Sequence, residues 1–448
     1  MYTKDVADFI LATNFNRLPS NVITKAKLAI LDTLGVSIVA RDTKSAQCIL
    51  RVVLAMGGKK ESTLLGVGKK VPTILAALAN SVLANACDMD DGMMGPEGHL
   101  GHFGATVIPS AISVAEASAA TGRDLIEAIV VGYEIAIRTG SILVGMHGVL
   151  TTGPINSYGA AATAGKLLHL NAKELADAFA IVEVHNLVGT RSGDFDALIQ
   201  AGGFKRWGMV KEGIGWSTMT GVAAAFLARE GFSGLIPVYD RPDINQAVLN
   251  DLGKEYKILR NYHKAYSACR YTHAILDGVL ALIQRHHLIA DDISKVIIGV
   301  SSTVTQLNVR RPSCIEEAQM SVPFVIGVAV LEGKVTPTEV NENRLNDKAI
   351  LNLVDKVELE VDSTIDTLYP VKLGAVVKIK TKNGQTHETR IDSPKGDVED
   401  PFTADELKEK FMSLSVSILG EKRARQVLQC VDNLENLSNV KELIRLVI

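Results

Sequence analysis

The chain lacks the features that mark several common classes of protein. Its 448 residues include only five cysteines, and no two of them form a C-x-x-C pair. This scatter excludes a zinc ribbon and a dense disulfide framework, and it predicts reduced thiols. The sequence also has no G-x-S-x-G nucleophile elbow, no phosphate-binding P-loop and no G-x-G-x-x-G after a strand. Serine-hydrolase, P-loop and dinucleotide-binding interpretations therefore have no support.

An excess of positive charge is missing as well. The formal net charge is −3 at pH 7, so bulk electrostatics favours neither a nucleic-acid partner nor an anionic membrane. The most apolar stretch, Val71–Cys87, contains one proline and two asparagines. We therefore expect a buried helix there, and no membrane span. The opening residues MYTKDVADFI carry acids where a signal peptide needs a basic region, which predicts a cytoplasmic protein.

Apolar residues, in contrast, are plentiful at 47%, and up to about residue 260 they recur at helical spacing. The pattern then changes to short β-rich runs at Lys295–Ser302 and Lys356–Asp362. Alternating residues in Ala375–Asp392 flank Asn383–Gly384, which predicts a hairpin with a type I′ turn. Beyond Pro401 the pattern is helical again.

These patterns predict a mainly α fold with two domains. Residues 1–260 and 401–448 would form a large all-helical domain, and residues 261–400 an inserted, smaller α+β domain. No low-complexity linker separates the two, so we expect them to pack closely. The cleft between them is the expected site of function.

One polar loop stands out, DMDDGMMGPEGHLGHFG, which runs from Asp88 to Gly104. Its residues allow three interpretations. Asp90, Asp91, His99 and His102 could bind a metal ion, or the polar groups could cap helix ends. We favour acid/base chemistry by His102, because histidine titrates near neutrality and nearby aspartates would orient it.

Two cationic segments complete the candidate residues. KAYSACRYTHAILDG supplies Lys264, Arg270 and His273 near the predicted domain junction, where cations suit a substrate with carboxylates. Cys269 lies among them, but no activating partner marks it as a nucleophile. Lys211 precedes a glycine-rich entry into a helix, where an anion can bind.

Taken together, these segments resemble the MmgE/PrpD family. GHFGATVIPSAISVAEASAATGRDLIEAIVVGYEIAIR is similar to the helical core of that family, and DMDDG to its acidic motif. KAYSACRYTH resembles the K-x-Y-P-x-C-R-Y-T-H segment, and GVAAAFLAREGFSG resembles the helix that follows a lysine. The order and approximate spacing agree over roughly residues 5 to 440.

The resemblance implies a homodimeric enzyme without a cofactor that moves a proton at a carbon next to a carboxylate. It also implies that the inserted α+β domain, residues 261–400, is a lid domain. Activities in the family include 2-methylcitrate dehydratase, cis-aconitate decarboxylase and iminodisuccinate epimerase. Asp88 and His102 match the first motif, and Lys264 the second. Cys269, Arg270 and His273 match its C-R-x-x-H part, and Lys211 lies within one residue of the family's lysine.

The sequence departs from the pattern of the decarboxylases at several positions. Gly92 stands where they have a threonine, Leu150–Thr151 stands where many members have His-Pro, and Phe324 stands where the decarboxylases have a tyrosine. The loop after Gly92 is longer, and residues 191–205 resemble an insertion. Each substitution removes a hydroxyl or an imidazole, which weakens the case for the standard activities.

The sequence thus predicts a lyase, of dehydratase or decarboxylase type, that acts on a small di- or tricarboxylate. An epimerase of the iminodisuccinate type is the second prediction, ahead of a metal-dependent hydrolase or dehydratase and a non-catalytic ligand-binding member. The predicted catalytic residues are His102, Asp88, Asp91, Lys264 and His273. The predicted substrate-binding residues are Lys211, Arg270 and Cys269.

Overall fold

A computed structural model describes residues 2–95, 98–147, 152–187, 213–234, 237–241 and 245–448. The fold is mainly α, as predicted. Its helices are α1 (Tyr2–Ala12), α2 (Ser20–Ala40), α3 (Lys44–Met56), α4 (Thr73–Asn85), α5 (Gly104–Ser118), α6 (Gly122–His147), α7 (Thr152–Leu167), α8 (Ala172–Leu187), α9 (Ile214–Arg229), α10 (His273–His286), α11 (Ile315–Met320), α12 (Val322–Glu332), α13 (Lys348–Val354), α14 (Ser363–Asp366), α15 (Ala404–Leu419), α16 (Glu421–Asp432) and α17 (Lys441–Leu446).

Within the residues described, the strands form three small sheets. Two are antiparallel pairs and the third has the order β6-β5-β7-β8, with β5 and β6 parallel and the other neighbours antiparallel. The strands are β1 (Ser62–Thr63), β2 (Lys70–Val71), β3 (Met93–Gly95), β4 (Gly98–Gly101), β5 (Ile293–Val300), β6 (Val357–Val361), β7 (Ala375–Thr381) and β8 (Thr386–Ile391).

The predicted hairpin is present as β7 and β8, but its turn is not type I′. A type I′ turn needs positive φ at both central residues, and here only Gly384 has it, at 87°. The amide of Gly384 donates to the carbonyl of Thr381, and the amide of Thr381 donates to the carbonyl of Gln385. The turn thus contains one left-handed residue, Gly384. The side-chain oxygen of Asn383 accepts a hydrogen bond from Thr381 Oγ1.

The larger hydrophobic core joins both ends of the chain. It contains buried residues from α1, α2 and α5–α9, together with Phe411, Val427 and Leu443 near the C-terminus. α15 packs along α2. Phe411 lies so close to Gly35 that a Cβ atom at residue 35 would be only 3.2 Å from the Phe411 ring. The C-terminal helices are thereby part of the helical body.

A second hydrophobic core lies within residues 268–379 and joins α10–α13 to one face of the four-stranded sheet. α12 is apolar on all sides and buried along nearly its whole length, from Val322 to Val330, which marks it as the central helix of this core. The boundaries at residues 260 and 400, and the role of this part as a lid, stay predictions.

The apolar stretch Val71–Cys87 forms the buried helix α4, as expected. In the described part of the chain, none of the helices combines the length and the apolar character needed to cross a membrane. α4 begins directly after Pro72, whose fixed φ suits a helix start. The acidic loop follows the C-terminal end of α4 at Asn85, so this buried helix positions Asp88, Asp90 and Asp91.

Candidate functional site

A buried ion pair joins the acidic loop to the second motif. Lys264 Nζ lies 2.5 Å from Asp88 Oδ1 and donates a second hydrogen bond, 3.1 Å long, to the carbonyl oxygen of Asp88. The Lys264 side chain is fully buried, and that of Asp88 is 4% exposed. Asp88 has a φ of 48°, a conformation that aspartate tolerates better than most residues. This left-handed turn directs the carboxylate towards Lys264.

His102 lies between β4 and α5 and is held through one ring nitrogen. Its Nδ1 is 2.8 Å from the carbonyl oxygen of Asp91 and 3.3 Å from Oδ2 of Asp90. Both partners are acceptors, so in the neutral ring Nδ1 carries the proton and Nε2 is the basic nitrogen. The Asn156 side chain fixes the backbone by donating to the carbonyl of His102.

Asp90 is ionised in this arrangement. Its burial acts to raise its pKa, but the charge and hydrogen bond of His102, together with the charge of Lys264, outweigh that effect. The pKa of Asp90 is therefore lowered. Asn85, in the last turn of α4, adds contacts of 3.3 Å to both carboxylate oxygens. An ionised Asp90 would stabilise the protonated form of His102 during proton transfer.

The Asp91 side chain supports the loop. It accepts hydrogen bonds from the amide of Gly104 at 2.7 Å, from the Tyr133 hydroxyl and from the Asn261 amide. Burial raises the pKa of Asp91 to about 6, although the bonds from Tyr133 and Gly104 oppose the shift. This carboxylate ties the start of α5 to α6 and to the segment before Lys264. It is the backbone carbonyl of Asp91 that contacts His102.

The residues after Gly92 form the hairpin β3–β4, where the sequence predicted a loop. His99 lies on β4, with its ring centroid 4.6 Å from that of His102. Its Nε2 is 3.0 Å from the hydroxyl of Tyr262. Burial, together with the charges of His102 and Lys264, lowers the pKa of His99 well below its usual value. His99 is therefore neutral at physiological pH.

Arg270 is a buried cation on the other side of Tyr262. Its guanidinium lies 4.5 Å above the Tyr262 ring, a cation–π arrangement, and Nη2 contacts the carboxylate of Asp397. The side chain is 3% exposed. Within the described residues, Nε and Nη1 have no hydrogen-bond partner. Buried donors of this kind are costly unless a partner satisfies them.

The remaining predicted residues are placed as follows. His273, the first residue of α10, is fully buried; its Nε2 lies 3.2 Å from the carbonyl of Ala268, and its Nδ1 has no partner among the described residues. Burial and the charges of Arg270 and Lys264 lower its pKa well below the usual value. Cys269 is buried at the edge of the second core, and Lys211 lies outside the described residues.

Two models of one protein family match the chain. Residues 4–253 match the MmgE/PrpD N-terminal domain and residues 266–436 match the MmgE/PrpD C-terminal domain. The chain belongs to the MmgE/PrpD family. The C-terminal family model extends over α15 and α16, which in this structure pack into the larger helical core.

Relatives from fungi and mammals align over nearly the whole chain. A cis-aconitate decarboxylase-like protein, oryM, from Aspergillus oryzae is 24% identical, with 99% of this chain and 97% of the relative covered. The cis-aconitate decarboxylases of Mus musculus and Homo sapiens are each 25% identical, covering 99% and 98% of this chain and 93% and 92% of those proteins.

Two departures from the decarboxylase pattern now have a structural setting. A Cβ atom at Gly92 would lie 2.5 Å from the Tyr262 hydroxyl and 2.7 Å from the carbonyl of Gly101, so the phenol occupies the space of a side chain at this position. Phe324 is fully buried on α12 within the second core. Leu150–Thr151 and the insertion at 191–205 lie outside the described residues.

The metal-site interpretation gains no support from the described residues, in which no three His, Cys, Asp or Glu side chains converge as metal ligands. Asp91 is taken by three donors. His99 Nε2 is taken by Tyr262. Asp90 and His102 contact each other through Nδ1 and Oδ2, so the four proposed ligands bond to protein groups.

Sequence reasoning named Asp90 only as a candidate metal ligand, and it missed Tyr262, Asn156 and Lys410. Asp90 contacts His102 and Tyr262 links His99 to Arg270. Tyr262 was detectable, because it lies two residues before Lys264 in a non-helical segment, and such residues share a face. Asn156 and Lys410 reach the site from distant helices, and no local pattern marks them.

Lys410, on α15, connects the acidic loop to the segment of Lys264. Its Nζ donates to the carbonyls of Met89 and Lys264, at 3.1 and 2.8 Å, and lies 2.6 Å from Asp32 Oδ1. The other oxygen of Asp32 is 3.2 Å from His263 Nδ1. Burial acts to raise the pKa of Asp32, but Lys410 and His263 lower it to about 2. Asp32 is thus ionised.

We expect His263 to make the fold sensitive to acid. Burial and the charge of Lys25 lower its pKa to about 4, against about 6.5 in an unfolded chain. Stability is then complete above pH 6.5 and falls as the pH drops towards 4, because the unfolded chain binds the proton first. Linkage gives a loss of about 3 kcal/mol. Urea unfolding at pH 7.5 and 4.5 should show a smaller loss for His263→Gln; an equal loss in both proteins would refute this assignment.

Proposed function

We propose that the protein is a cofactor-independent lyase that releases CO2 from a small unsaturated tricarboxylate of the cis-aconitate type. The observation that carries the proposal is the position of His102 between Asp90 and His99, because the charge of the buried Lys264 acts on both of these neighbours and that of the buried Arg270 acts on His99. The basic Nε2 of His102 follows from the partners of Nδ1. The names of the aligned relatives support the choice of decarboxylation over dehydration.

Arg270 is the proposed anchor for a substrate carboxylate. Its Nε and Nη1 donors have no partner among the described residues and project from different sides of the guanidinium, so each can donate a charged hydrogen bond to a carboxylate oxygen. Lys264 carries a second positive charge close by, although Asp88 shares it. Lys211 stays a prediction as a third cation.

A cavity of about 570 Å³ adjoins this cluster and reaches Tyr262 and Asp397, both of which contact Arg270. Its walls come from the β3–β4 hairpin, from α6, from residues between 245 and 262, from Val371 and Leu373, and from residues 397–399. The volume is typical of pockets for small molecules. We propose it as the approach for the substrate.

The proposed reaction needs one proton and no external electron source. As the bond to the departing CO2 breaks, its electron pair forms a new carbon–carbon double bond. The original double bond shifts and takes up a proton at the carbon next to another carboxylate. His102 Nε2 delivers that proton and regains one from water, while Asp90 stabilises the imidazolium. A trianion and a proton thus give a dianion and CO2.

NMR of the purified protein with cis-aconitate and citrate-type acids in D2O tests this proposal. We expect release of CO2 and one deuterium in the product. Exchange of deuterium into the acid without loss of CO2 or water would contradict a lyase and favour the epimerase alternative. Loss of water alone would indicate a dehydratase. A homodimer is expected by size-exclusion chromatography.

Replacing Arg270 with lysine should raise KM for the tricarboxylate about 10- to 100-fold and change kcat less. Lysine keeps the charge but lacks the Nε and Nη1 donors of the planar guanidinium, and a charged hydrogen bond is worth roughly 1.5–3 kcal/mol. Steady-state kinetics measures the split. Arg285→Lys, on the exposed end of α10, is the matched control. A KM unchanged by Arg270→Lys would remove Arg270 from the binding site.

A further inference from the structure

We propose that His99 is a substrate-contacting residue that donates a hydrogen bond through Nδ1, and that Tyr262 is the positioning residue that fixes this tautomer. The inference rests on the proposed function, because it places His99 in the same site as His102. It assigns a role to the hairpin β3–β4, which the proposed mechanism leaves without one.

The position of His99 follows from the hairpin. β3 and β4 pair Met94 with His99 and Gly95 with Gly98, which holds the His99 ring 4.6 Å from the ring of His102, centroid to centroid. His99 is half-buried, whereas His102 is 6% exposed. His102 turns Nδ1 inwards to Asp90 and Asp91. A ligand that reaches Nε2 of His102 therefore lies beside His99.

Several contacts fix the position of Tyr262 and of its hydroxyl. The backbone of Tyr262 forms two hydrogen bonds with the backbone of Gly92, with N–O distances of 2.8 and 3.3 Å. The phenol fills the space that a side chain at residue 92 would need, and the Arg270 guanidinium covers the ring. Tyr262 is 1% exposed. Glycine at 92 is thus the residue that allows Tyr262 to reach His99.

The direction of the His99–Tyr262 hydrogen bond fixes the tautomer. In the described part of the chain, His99 Nε2 is the hydrogen-bond partner of the Tyr262 hydroxyl. A buried phenol needs an acceptor for its proton, so the O–H donates and Nε2 accepts. The proton of the neutral imidazole is then on Nδ1, which is the donor available to a carboxylate of the substrate.

The physical state of both groups agrees with this role. Burial, above all, raises the pKa of Tyr262 well above its usual value, so the phenol keeps its proton. His99 stays neutral for the reasons given above. The Tyr262 hydroxyl donates to His99, and the N–H of His99 can donate to the substrate. Both groups are neutral, so their fixed dipoles stabilise a negative charge without adding a cation to the site.

The test compares Tyr262→Phe, His99→Gln and the double variant by steady-state kinetics with the tricarboxylate. Tyr262→Phe keeps the ring beneath Arg270 and removes only the hydroxyl. We expect kcat/KM to fall about 10- to 100-fold in each single variant, and no further in the double variant, because the two residues act as a unit. Full activity in Tyr262→Phe, or losses that multiply in the double variant, would overturn the inference.

The matched control is Tyr239→Phe, which removes another buried hydroxyl, bonded to Thr139 in the helical core. It should leave kcat/KM within about twofold of the wild type. A second readout is independent of turnover: ¹⁵N NMR of the histidine rings should show His99 protonated at Nδ1 in the wild type and a mixture of tautomers in Tyr262→Phe. His99 protonated at Nε2 in the wild type would contradict the inference.

These readouts separate the two proposals. If the wild type turned over none of the tricarboxylates, the proposed function would fail, while the tautomer would still test the Tyr262–His99 bond. If the wild type were active and dependent on His102, but indifferent to Tyr262 and His99, only the present inference would fail.

Discussion

Replacing His102 with asparagine should reduce kcat by about 10²- to 10⁴-fold, the range of general acid/base catalysis. The asparagine amide can take the place of Nδ1 and keep the bond to the carbonyl of Asp91. It has no counterpart of Nε2, so the variant removes the proton-transfer atom and keeps the local fold. Activity of the wild type should fall on both sides of a pH optimum, and the residual activity of the variant should lose this dependence.

His287→Asn is the control for that experiment. His287 is exposed, and it ends α10 in the left-handed conformation that asparagine also tolerates. Its kcat should match the wild type. If His102→Asn kept more than about a tenth of wild-type kcat, with an unchanged pH profile, His102 would not be the acid/base residue.

Breaking the ion pair between Asp88 and Lys264 should have the largest effect on stability. Asp88→Asn and Lys264→Met each leave one buried charge without its partner, at a cost of about 3–5 kcal/mol. Asparagine tolerates the positive φ of residue 88, so backbone strain does not add to the loss. Urea unfolding of the single variants measures the cost.

The double variant Asp88→Asn, Lys264→Met separates stability from chemistry. It buries no unpaired charge, so we expect its unfolding free energy to recover by roughly half or more of the loss in either single variant. Its activity should stay at least about 100-fold below the wild type, because one of the two buried cations of the site is gone. A double variant that regained activity would make the pair purely structural.

The sequence predicts which segments form the site, because the order and spacing of these segments along the chain match those of the family. Apolar periodicity predicts the helices, and the resemblance brings the segments of Asp88, His102 and Lys264 together, as the structure does. The partners of the individual aspartates, Lys264 for Asp88 and His102 for Asp90, were not predictable in the same way. An extended chain would put Asp88 and Asp90 on one side, but the positive φ at Asp88 changes the direction of the loop.

The turn between β7 and β8 shows the same limit. Asn-Gly identifies the hairpin correctly, but the backbone conformation of Asn383 depends on the bonds that Thr381 makes across the turn. The hairpin β3–β4 is a harder case. Three glycines and a proline in residues 95–101 favour a loop locally, and the strands exist because the bridge from Gly92 to Tyr262 and the contacts of Leu100 hold them. Such tertiary contacts are not visible in a local pattern.

The bonds from Lys410 to the carbonyls of Met89 and Lys264 have a consequence for biosynthesis. They connect residues 321 and 146 positions apart in the chain, and contacts of such separation form late, since the intervening chain must first be ordered. On a ribosome, α15 emerges after both motifs. We therefore expect a nascent chain that ends before residue 404 to contain every proposed catalytic group and yet to be inactive. Assembly of the site would then depend on α15, which supplies Lys410.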